Sequence, residues 1–181
     1  MAKYLYSPWA SGVTNYEQKN TKLMDKRFFG AAQPQMEVNH SVVSLRYSPG
    51  KNILGKITAT DRLYILAHCE PGSKAIESGF SGSQLDAAQV AARLKENGLV
   101  DRKMAVKLYA CSGGRGKLFS PSFAQRLVSA LRHAGYKSIS VQAYTRTVTQ
   151  KSKDGDEAHK WALDDKGNTV GRASDFRKTF K

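Results

Sequence analysis

The chain has few cysteines, few acidic residues and no long apolar run. Each of these features excludes some classes of protein. Its two cysteines, Cys69 and Cys111, form neither a disulfide framework nor a four-ligand zinc site. No apolar run reaches the roughly 18 residues that a membrane-spanning helix needs, and the N-terminal segment lacks the apolar core of a secretory signal. We therefore expect no membrane span. We also expect the chain to act in the cytoplasm, to leave the cell without a cleaved signal peptide, or to be part of something larger.

Acidic residues number 15 against 29 Lys and Arg, so the 181-residue chain carries a net charge of +14. The excess is spread along the whole chain, and it predicts attraction to nucleic acid, anionic lipid or a polyphosphate ligand. Hydrophobic content of 40% and charged content of 24% are those of an ordinary globular protein. We expect one domain over residues 1–181, with a core at about 37–147 and a C-terminal segment at about 148–181.

Three apolar segments alternate with two helical ones in the central part of the chain. The strands are predicted at Leu63–Ala67, Lys103–Ala110 and Ser138–Thr147, because continuous or alternating apolar residues of that length are typical of buried strands. Between them, a helix capped by Ser83 is expected to run to Asn97-Gly98, and a second is expected to start at Ser120-Pro121 and end at Gly135. This alternation predicts an α/β fold with a parallel sheet.

The remaining segments are less regular. We predict loops at Glu70–Ser83 and Ser112–Ser120, and a C-terminal hairpin with its turn at Asp165–Gly167. Further expected elements are strands at Lys3–Tyr6, Val38–Tyr47 and Lys56–Thr60 and a short helix around Lys19–Phe29.

His68 and Cys111 each follow directly after one of the apolar strands. If these strands are parallel neighbours, both residues meet at the carboxyl edge of the sheet, where open α/β folds keep their active sites. An imidazole beside a thiol is a base beside a nucleophile, and Gly113 and Gly114 after the cysteine leave room for a cleft. The alternative is that both are ordinary structural residues, since cysteine is often buried in cores.

The stretch from Leu63 to Tyr144 resembles the caspase-like cysteine peptidases of clan CD, and most closely the C80-type autoprocessing domains of bacterial toxins. The resemblance depends on the strand that ends at His68, on the segment from Phe80-Ser81-Gly82 to Leu94, and on Ala110-Cys111-Ser112-Gly113 with the helix and strand after it. It implies a caspase-like three-layer sandwich: a central, mostly parallel sheet flanked by helices, with a C-terminal β-hairpin flap.

The same resemblance implies a cysteine peptidase with a His/Cys dyad. His68 is the base or acid and Cys111 the nucleophile, and the backbone amides of Cys69 and Cys111 hold the oxyanion. The substrate is a peptide or protein, in the same chain for autoprocessing relatives. Members of the family usually have glycine after the histidine, where this chain has Cys69. This second thiol is also a candidate for redox regulation of the site.

C80-type domains are activated by inositol hexakisphosphate in a basic pocket between core and flap. Candidate contributors to such a pocket here are Lys151, Lys153, Lys160, Arg172, Arg177 and Lys178. The alternative function is a catalytically inactive module on the same fold that binds polyanions or nucleic acid. The absence of a helix-turn-helix, a zinc pattern and interleaved aromatic and basic residues argues against nucleic acid as the partner.

Overall fold

The computed structural model describes residues 1–10, 42–78, 82–149 and 160–181. In these ranges a six-stranded sheet has the strand order β2-β1-β3-β6-β7-β11, with smaller sheets formed by β4-β5 and by β8-β9-β10. The elements in chain order are β1 Lys3–Ser7, β2 Val42–Arg46, β3 Arg62–Leu66, β4 Ala75–Glu77, β5 Gln84–Asp86, α1 Ala87–Glu96, β6 Ala105–Tyr109, α2 Phe123–His133, β7 Ser140–Tyr144, β8 Thr147–Thr149, β9 Trp161–Leu163, β10 Thr169–Arg172, a 3₁₀ turn Ala173–Phe176 and β11 Arg177–Phe180.

The main sheet is mostly parallel. Its neighbouring strands pair in parallel from β2 to β7, and β11 pairs antiparallel with β7. The predicted α/β class and the parallel pairing of the three central strands are therefore confirmed. The strand expected at Lys3–Tyr6 is β1, which lies between β2 and β3.

The two faces of the sheet carry different clusters because side chains alternate along each strand. On one face, Leu63, Ile65 and Ala67 belong to the large core that contains the apolar residues of α1 and α2. On the other face, Tyr64 and Leu66 form a smaller cluster with Leu5 and Tyr109. Both described helices thus pack on the same face. The three-layer arrangement stays a prediction, because the predicted helix around 19–29 lies outside the described residues.

Helix α1 starts three residues later than its sequence suggests. Its N-cap is Asp86, whose carboxylate accepts a hydrogen bond from the Gln89 amide at 2.8 Å, while the Gln89 side chain accepts from the Asp86 amide at 2.9 Å. Ser83 is not the cap, since the chain after it pairs as β5 with β4. The loop expected over Glu70–Ser83 therefore contains part of a small two-stranded sheet.

Helix α2 shows the same kind of shift. Its cap is Ser122, whose hydroxyl accepts from the Gln125 amide at 3.3 Å while the Gln125 side chain accepts from the Ser122 amide at 2.8 Å. Ser120 instead pairs with Lys117 in a short bridge. In both helices a reciprocal capping box, with Gln at the third helical position, determines the start.

The strand expected at Lys56–Thr60 is not formed. Asp61 accepts hydrogen bonds from the Thr58 amide at 2.9 Å and from the Ala2 amide at 2.7 Å, which holds this segment as a turn beside β1. An aspartate that binds nearby backbone amides competes with strand pairing in this way. The first part of the strand expected at Val38–Tyr47 lies outside the described residues, and its second part is β2.

The C-terminal segment forms the predicted hairpin and then returns to the main sheet. Strands β9 and β10 pair antiparallel, and Asp164 stabilises the turn by accepting from the amides of Lys166 and Asn168. Strand β8 joins them on the other side of β9. The last strand, β11, then completes the edge of the main sheet, so this sheet extends beyond residues 37–147 at both ends. Correspondence of the hairpin to a toxin flap stays a prediction.

Candidate active site

His68 and Cys111 lie at matching positions on adjacent parallel strands. Leu66 of β3 pairs with Tyr109 of β6, and each candidate residue lies two positions beyond its member of this pair. Pairing continues past the strand ends, because the Ala67 amide donates to the Tyr109 carbonyl at 3.4 Å. By alternation, both residues fall on the face of Leu66 and Tyr109, opposite the helices. The sheet therefore brings the ends of the two strands together as expected.

The backbone of His68 is held by the small sheet that follows it. Its amide donates to the Glu77 carbonyl at 2.8 Å, and its own carbonyl accepts from the Glu77 amide at 2.9 Å. The imidazole is exposed and lines a surface cavity of about 590 Å³ together with Cys69, Glu70, Glu77 and residues of β4 and β5. The base of the predicted dyad thus faces an open cavity, and its backbone is fixed.

Cys111 is half-buried, and its thiol donates to the Val148 carbonyl of β8, with 3.5 Å between Sγ and O. It lies outside the lining of the cavity beside His68. The sulfur therefore rests against the first strand of the C-terminal three-stranded sheet. Sequence reasoning did not anticipate this contact, because it joins residues that are far apart in the chain.

Cys69 is a buried core residue. It packs in the large core with Ile65 and Ala67, and burial, with smaller contributions from Cys111 and Glu70, raises the pKa of its thiol to about 12. At neutral pH it stays a protonated thiol, which is a poor nucleophile and a poor target for oxidation. The structure thus does not favour the regulatory role considered for Cys69. Both cysteines are free thiols.

The backbone amides proposed as oxyanion donors are those of Cys69 and Cys111. Neither amide has a hydrogen-bond acceptor within the described ranges. In contrast, the amides of Ser112 and Gly114, directly after the cysteine, donate to the carbonyls of Arg146 and Tyr144 at 3.0 and 2.8 Å. The turn after Cys111 is therefore anchored by its next residues.

The turn after Cys111 has an unusual backbone. Ser112 is 1% exposed and has a φ of +51°, a left-handed conformation that non-glycine residues rarely adopt. Gly114 is needed for a different reason: a Cβ there would lie 3.0 Å from the Ala143 carbonyl oxygen and 3.1 Å from that of Tyr144. Close approach of this turn to β7 thus depends on glycine, while the conformation of Ser112 is imposed by its surroundings.

Arg115 ties this loop to two other parts of the molecule. Its guanidinium forms a two-hydrogen-bond ion pair with Asp165, in the turn between β9 and β10, at 2.6 and 3.1 Å. Its carbonyl accepts from the Gly72 amide, in the segment after His68, at 2.8 Å. The segments that carry His68, Cys111 and the C-terminal hairpin are therefore connected through this residue.

The six basic residues suggested for a polyphosphate pocket are not gathered at one place in the described ranges. Lys151 and Lys153 lie outside them. Lys160 is half-buried with its amine 3.1 Å from the centre of the Tyr109 ring, Arg172 is exposed on β10, and Arg177 and Lys178 are exposed on β11. Because successive strand residues point to opposite faces, Arg177 and Lys178 point away from each other.

Sequence reasoning missed Lys107, a basic residue inside β6. It lies on the face of Tyr64 and Tyr109, with its amine 5.5 Å from the centre of the Tyr64 ring. Burial, together with repulsion from Arg177 and Arg62, lowers its pKa to about 8. A charged residue in the middle of an otherwise apolar strand, Ala-Val-Lys-Leu-Tyr, is the signal that could have identified it.

A family model described as Domain of unknown function (DUF8616) matches residues 49–160, which is more than half of the chain. The chain belongs to this family, and the matched region contains His68 and Cys111. No curated protein matches the chain. In the described ranges, none of the helices has the length and apolar character that a membrane crossing requires, and no group of three or more His, Cys, Asp or Glu is placed to hold a metal ion.

Proposed function

We propose that this protein is a cysteine peptidase of the caspase-like class, with Cys111 as nucleophile and His68 as its base. The observation that carries the proposal is the matched placement of the two residues, two positions beyond a register pair of adjacent parallel strands and on the same face. Thiol and imidazole at the carboxyl edge of a parallel sheet are the parts that nucleophilic catalysis requires. The proposed peptidase is a bacterial effector or toxin domain that acts in the cytoplasm or in a target cell.

The proposed reaction has two steps. His68 takes the Cys111 proton, the thiolate attacks the peptide carbonyl carbon, and the amine leaves with the proton that His68 returns. His68 then activates a water that attacks the thioester, which releases the acid and restores the thiol. The amides of Cys69 and Cys111, which have no acceptor among the described residues, are the proposed oxyanion donors. These donors are backbone N–H groups and do not depend on the side chain. Cysteine in place of glycine after His68 therefore keeps a donor at that position.

The test uses the two cysteines as a matched pair. Cys111→Ala is expected to abolish labelling by a peptide-based acylating probe, whereas Cys69→Ala keeps it, because the Cys69 thiol is buried and protonated. His68→Ala is expected to slow alkylation of Cys111 by iodoacetamide at neutral pH at least about tenfold, since a general base contributes at least that much. Equal labelling of the two cysteine variants, or unchanged alkylation without His68, would contradict the dyad.

We further propose that an anionic polyphosphate such as inositol hexakisphosphate activates the peptidase through the C-terminal sheet. The contact of Cys111 Sγ with the Val148 carbonyl supports this, because movement of that sheet would free or block the sulfur. Lys107, Arg62 and Arg177 are the cations we assign to the ligand first, since each of the two arginines is close enough to repel the Lys107 amine. Lys107→Met is expected to remove activation without removing basal labelling of Cys111; activation that persists in this variant would contradict the assignment.

A catalytically inactive polyanion-binding module is the second candidate, and the same group of Lys107, Arg62 and Arg177 favours it, because the two arginines repel the Lys107 amine. Titration with salt distinguishes the two. A module that binds nucleic acid loses affinity steeply and without selectivity as salt rises. A peptidase with a polyphosphate activator is expected to bind inositol hexakisphosphate far more tightly than DNA or RNA and to keep the acyl-probe labelling of Cys111.

A further inference from the structure

The loop after Cys111 presents two large apolar side chains almost completely to solvent. Leu118 is 84% exposed and Phe119 is 96% exposed. The other exposed large apolar residues in the described ranges, Met1, Val100 and Val170, are 61%, 44% and 42% exposed. Scattered surface apolar residues are normal, but two adjacent ones at the apex of a loop indicate a binding function. We call the pair Leu118 and Phe119 the apolar tip.

The backbone holds the apolar tip in place. Lys117 and Ser120 exchange two hydrogen bonds at 3.0 and 2.9 Å, so the tip is a two-residue turn. The Ser120 hydroxyl donates to the Gly72 carbonyl and accepts from Arg126, both at 3.3 Å. Phe119 itself has a φ of +62°, which costs free energy in a non-glycine residue. The turn is thus tied to the segment after His68 and to α2, and it presents its side chains outward.

The charge around the apolar tip is entirely positive along the sequence. The chain has no Asp or Glu between Arg102 and Lys153, and Arg115, Lys117 and Arg126 flank the tip. Arg115 is paired with Asp165, while Lys117 is exposed. Leu and Phe beside Lys and Arg form the pattern with which proteins bind the interface of an anionic membrane: the apolar groups enter the acyl boundary and the cations meet the headgroups.

We propose that the apolar tip anchors this protein to the surface of an anionic lipid bilayer. Leu118 and Phe119 insert at the level of the headgroups, and Lys117 with Arg126 contacts lipid phosphates. A nucleic acid fits this surface less well, because only Phe119 of the two tip residues offers a ring for a base to stack on. The proposal does not depend on the peptidase function, because it uses neither His68 nor Cys111.

The test is cosedimentation of the full chain with vesicles of phosphatidylcholine, with or without about one-third phosphatidylserine. We expect binding only to the anionic vesicles. Leu118→Ser combined with Phe119→Ser is expected to weaken this binding at least about tenfold, because two apolar side chains no longer leave water. The control, Val100→Ser with Val170→Ser, removes exposed apolar residues elsewhere and is expected to change affinity less than about twofold.

A second measurement covers the case in which charge alone holds the protein on vesicles. In Phe119→Trp the indole is expected to enter the interface, so its fluorescence shifts to the blue beyond any change in the parent chain, which contains Trp9 and Trp161. Three results would each overturn the proposal. They are unweakened vesicle binding by the double serine variant, an unshifted emission of Phe119→Trp on bound vesicles, and binding to DNA in place of vesicles that depends on the tip.

Discussion

Arg115 and Asp165 form an ion pair with two hydrogen bonds, at 2.6 and 3.1 Å, that joins the loop after Cys111 to the turn between β9 and β10. It lowers the pKa of Asp165 and raises that of Arg115. Both side chains are exposed, so solvent screens the pair and its contribution to stability is below about 1 kcal/mol. Its main effect is to hold two segments in one arrangement.

Breaking this ion pair is expected to expose Cys111. In Asp165→Asn the C-terminal sheet is held less firmly, the contact between Cys111 Sγ and the Val148 carbonyl opens more often, and alkylation of Cys111 by iodoacetamide accelerates several-fold. The matched control is Asp175→Asn, an exposed carboxylate of the same segment whose hydrogen bond among the described residues is to Ser174. Equal alkylation rates in the two variants would show that the ion pair does not control access. Because the Asp165 pKa is lowered in the folded protein, the ion pair is expected to persist in the parent chain down to acidic pH, so the two variants are compared at neutral pH, where the thiolate reacts.

The left-handed backbone of Ser112 predicts an unusual order of substitutions. Ser112→Gly is expected to change the free energy of unfolding by less than about 1 kcal/mol, since glycine adopts this conformation without strain. Ser112→Val is expected to destabilise by about 2 kcal/mol or more, because a β-branched residue is strained at positive φ. Denaturant unfolding measures both. Phe119 also has a positive φ, so Phe119→Gly is expected to raise the free energy of unfolding. This variant is expected to leave the alkylation rate of Cys111 unchanged, whereas Ser112→Val is expected to alter that rate.

The lowered pKa of Lys107 leads us to expect that the free energy of unfolding rises with pH. Its pKa is lowered to about 8 in the folded protein from an ordinary value near 10.5, so the unfolded chain binds more protons between these values. Stability therefore increases as the pH rises from about 8 to about 10.5. Lys107→Met is expected to remove this increase and to stabilise the protein at pH 7 by up to about 1 kcal/mol, a small value because the amine is only half-buried and solvent screens it. Lys103→Met, at an exposed position, is the control.

The shifted start of α1 gives a direct test of the fold. Asp86→Ala is expected to lower the free energy of unfolding by about 1 kcal/mol, because it removes the cap and leaves the Gln89 amide without an acceptor. Ser83→Ala, at the cap position that the sequence suggests, is expected to change it by less than about 0.5 kcal/mol. The opposite order in denaturant unfolding would place the start of the helix at Ser83.

Local sequence was sufficient to predict the central strands and the residues after them. Apolar runs such as Leu63–Ala67 are typical of buried strands, and strand-helix-strand order makes the pairing parallel. The placement of His68 and Cys111 after two parallel strands follows from this order, while the structure shows that the two strands are neighbours. The turn of the C-terminal hairpin was predicted for a similar reason, since Asp164 binds amides only two and four residues away.

Other features of the site depend on contacts between distant parts of the chain. The capping boxes of both helices are exceptions, because Asp86 with Gln89 and Ser122 with Gln125 are local patterns that the sequence already contains. The burial of Cys69, the contact of Cys111 with Val148 and the pairing of Arg115 with Asp165 join residues whose proximity no local pattern encodes. The parallel pairing of the three central strands and the positions of His68 and Cys111 directly after two of them are thus properties of the sequence. Only the tertiary structure determines which side chains are buried and where each one points. It therefore decides the protonation of Cys69, the surroundings of Cys111 and the exposure of Leu118 and Phe119.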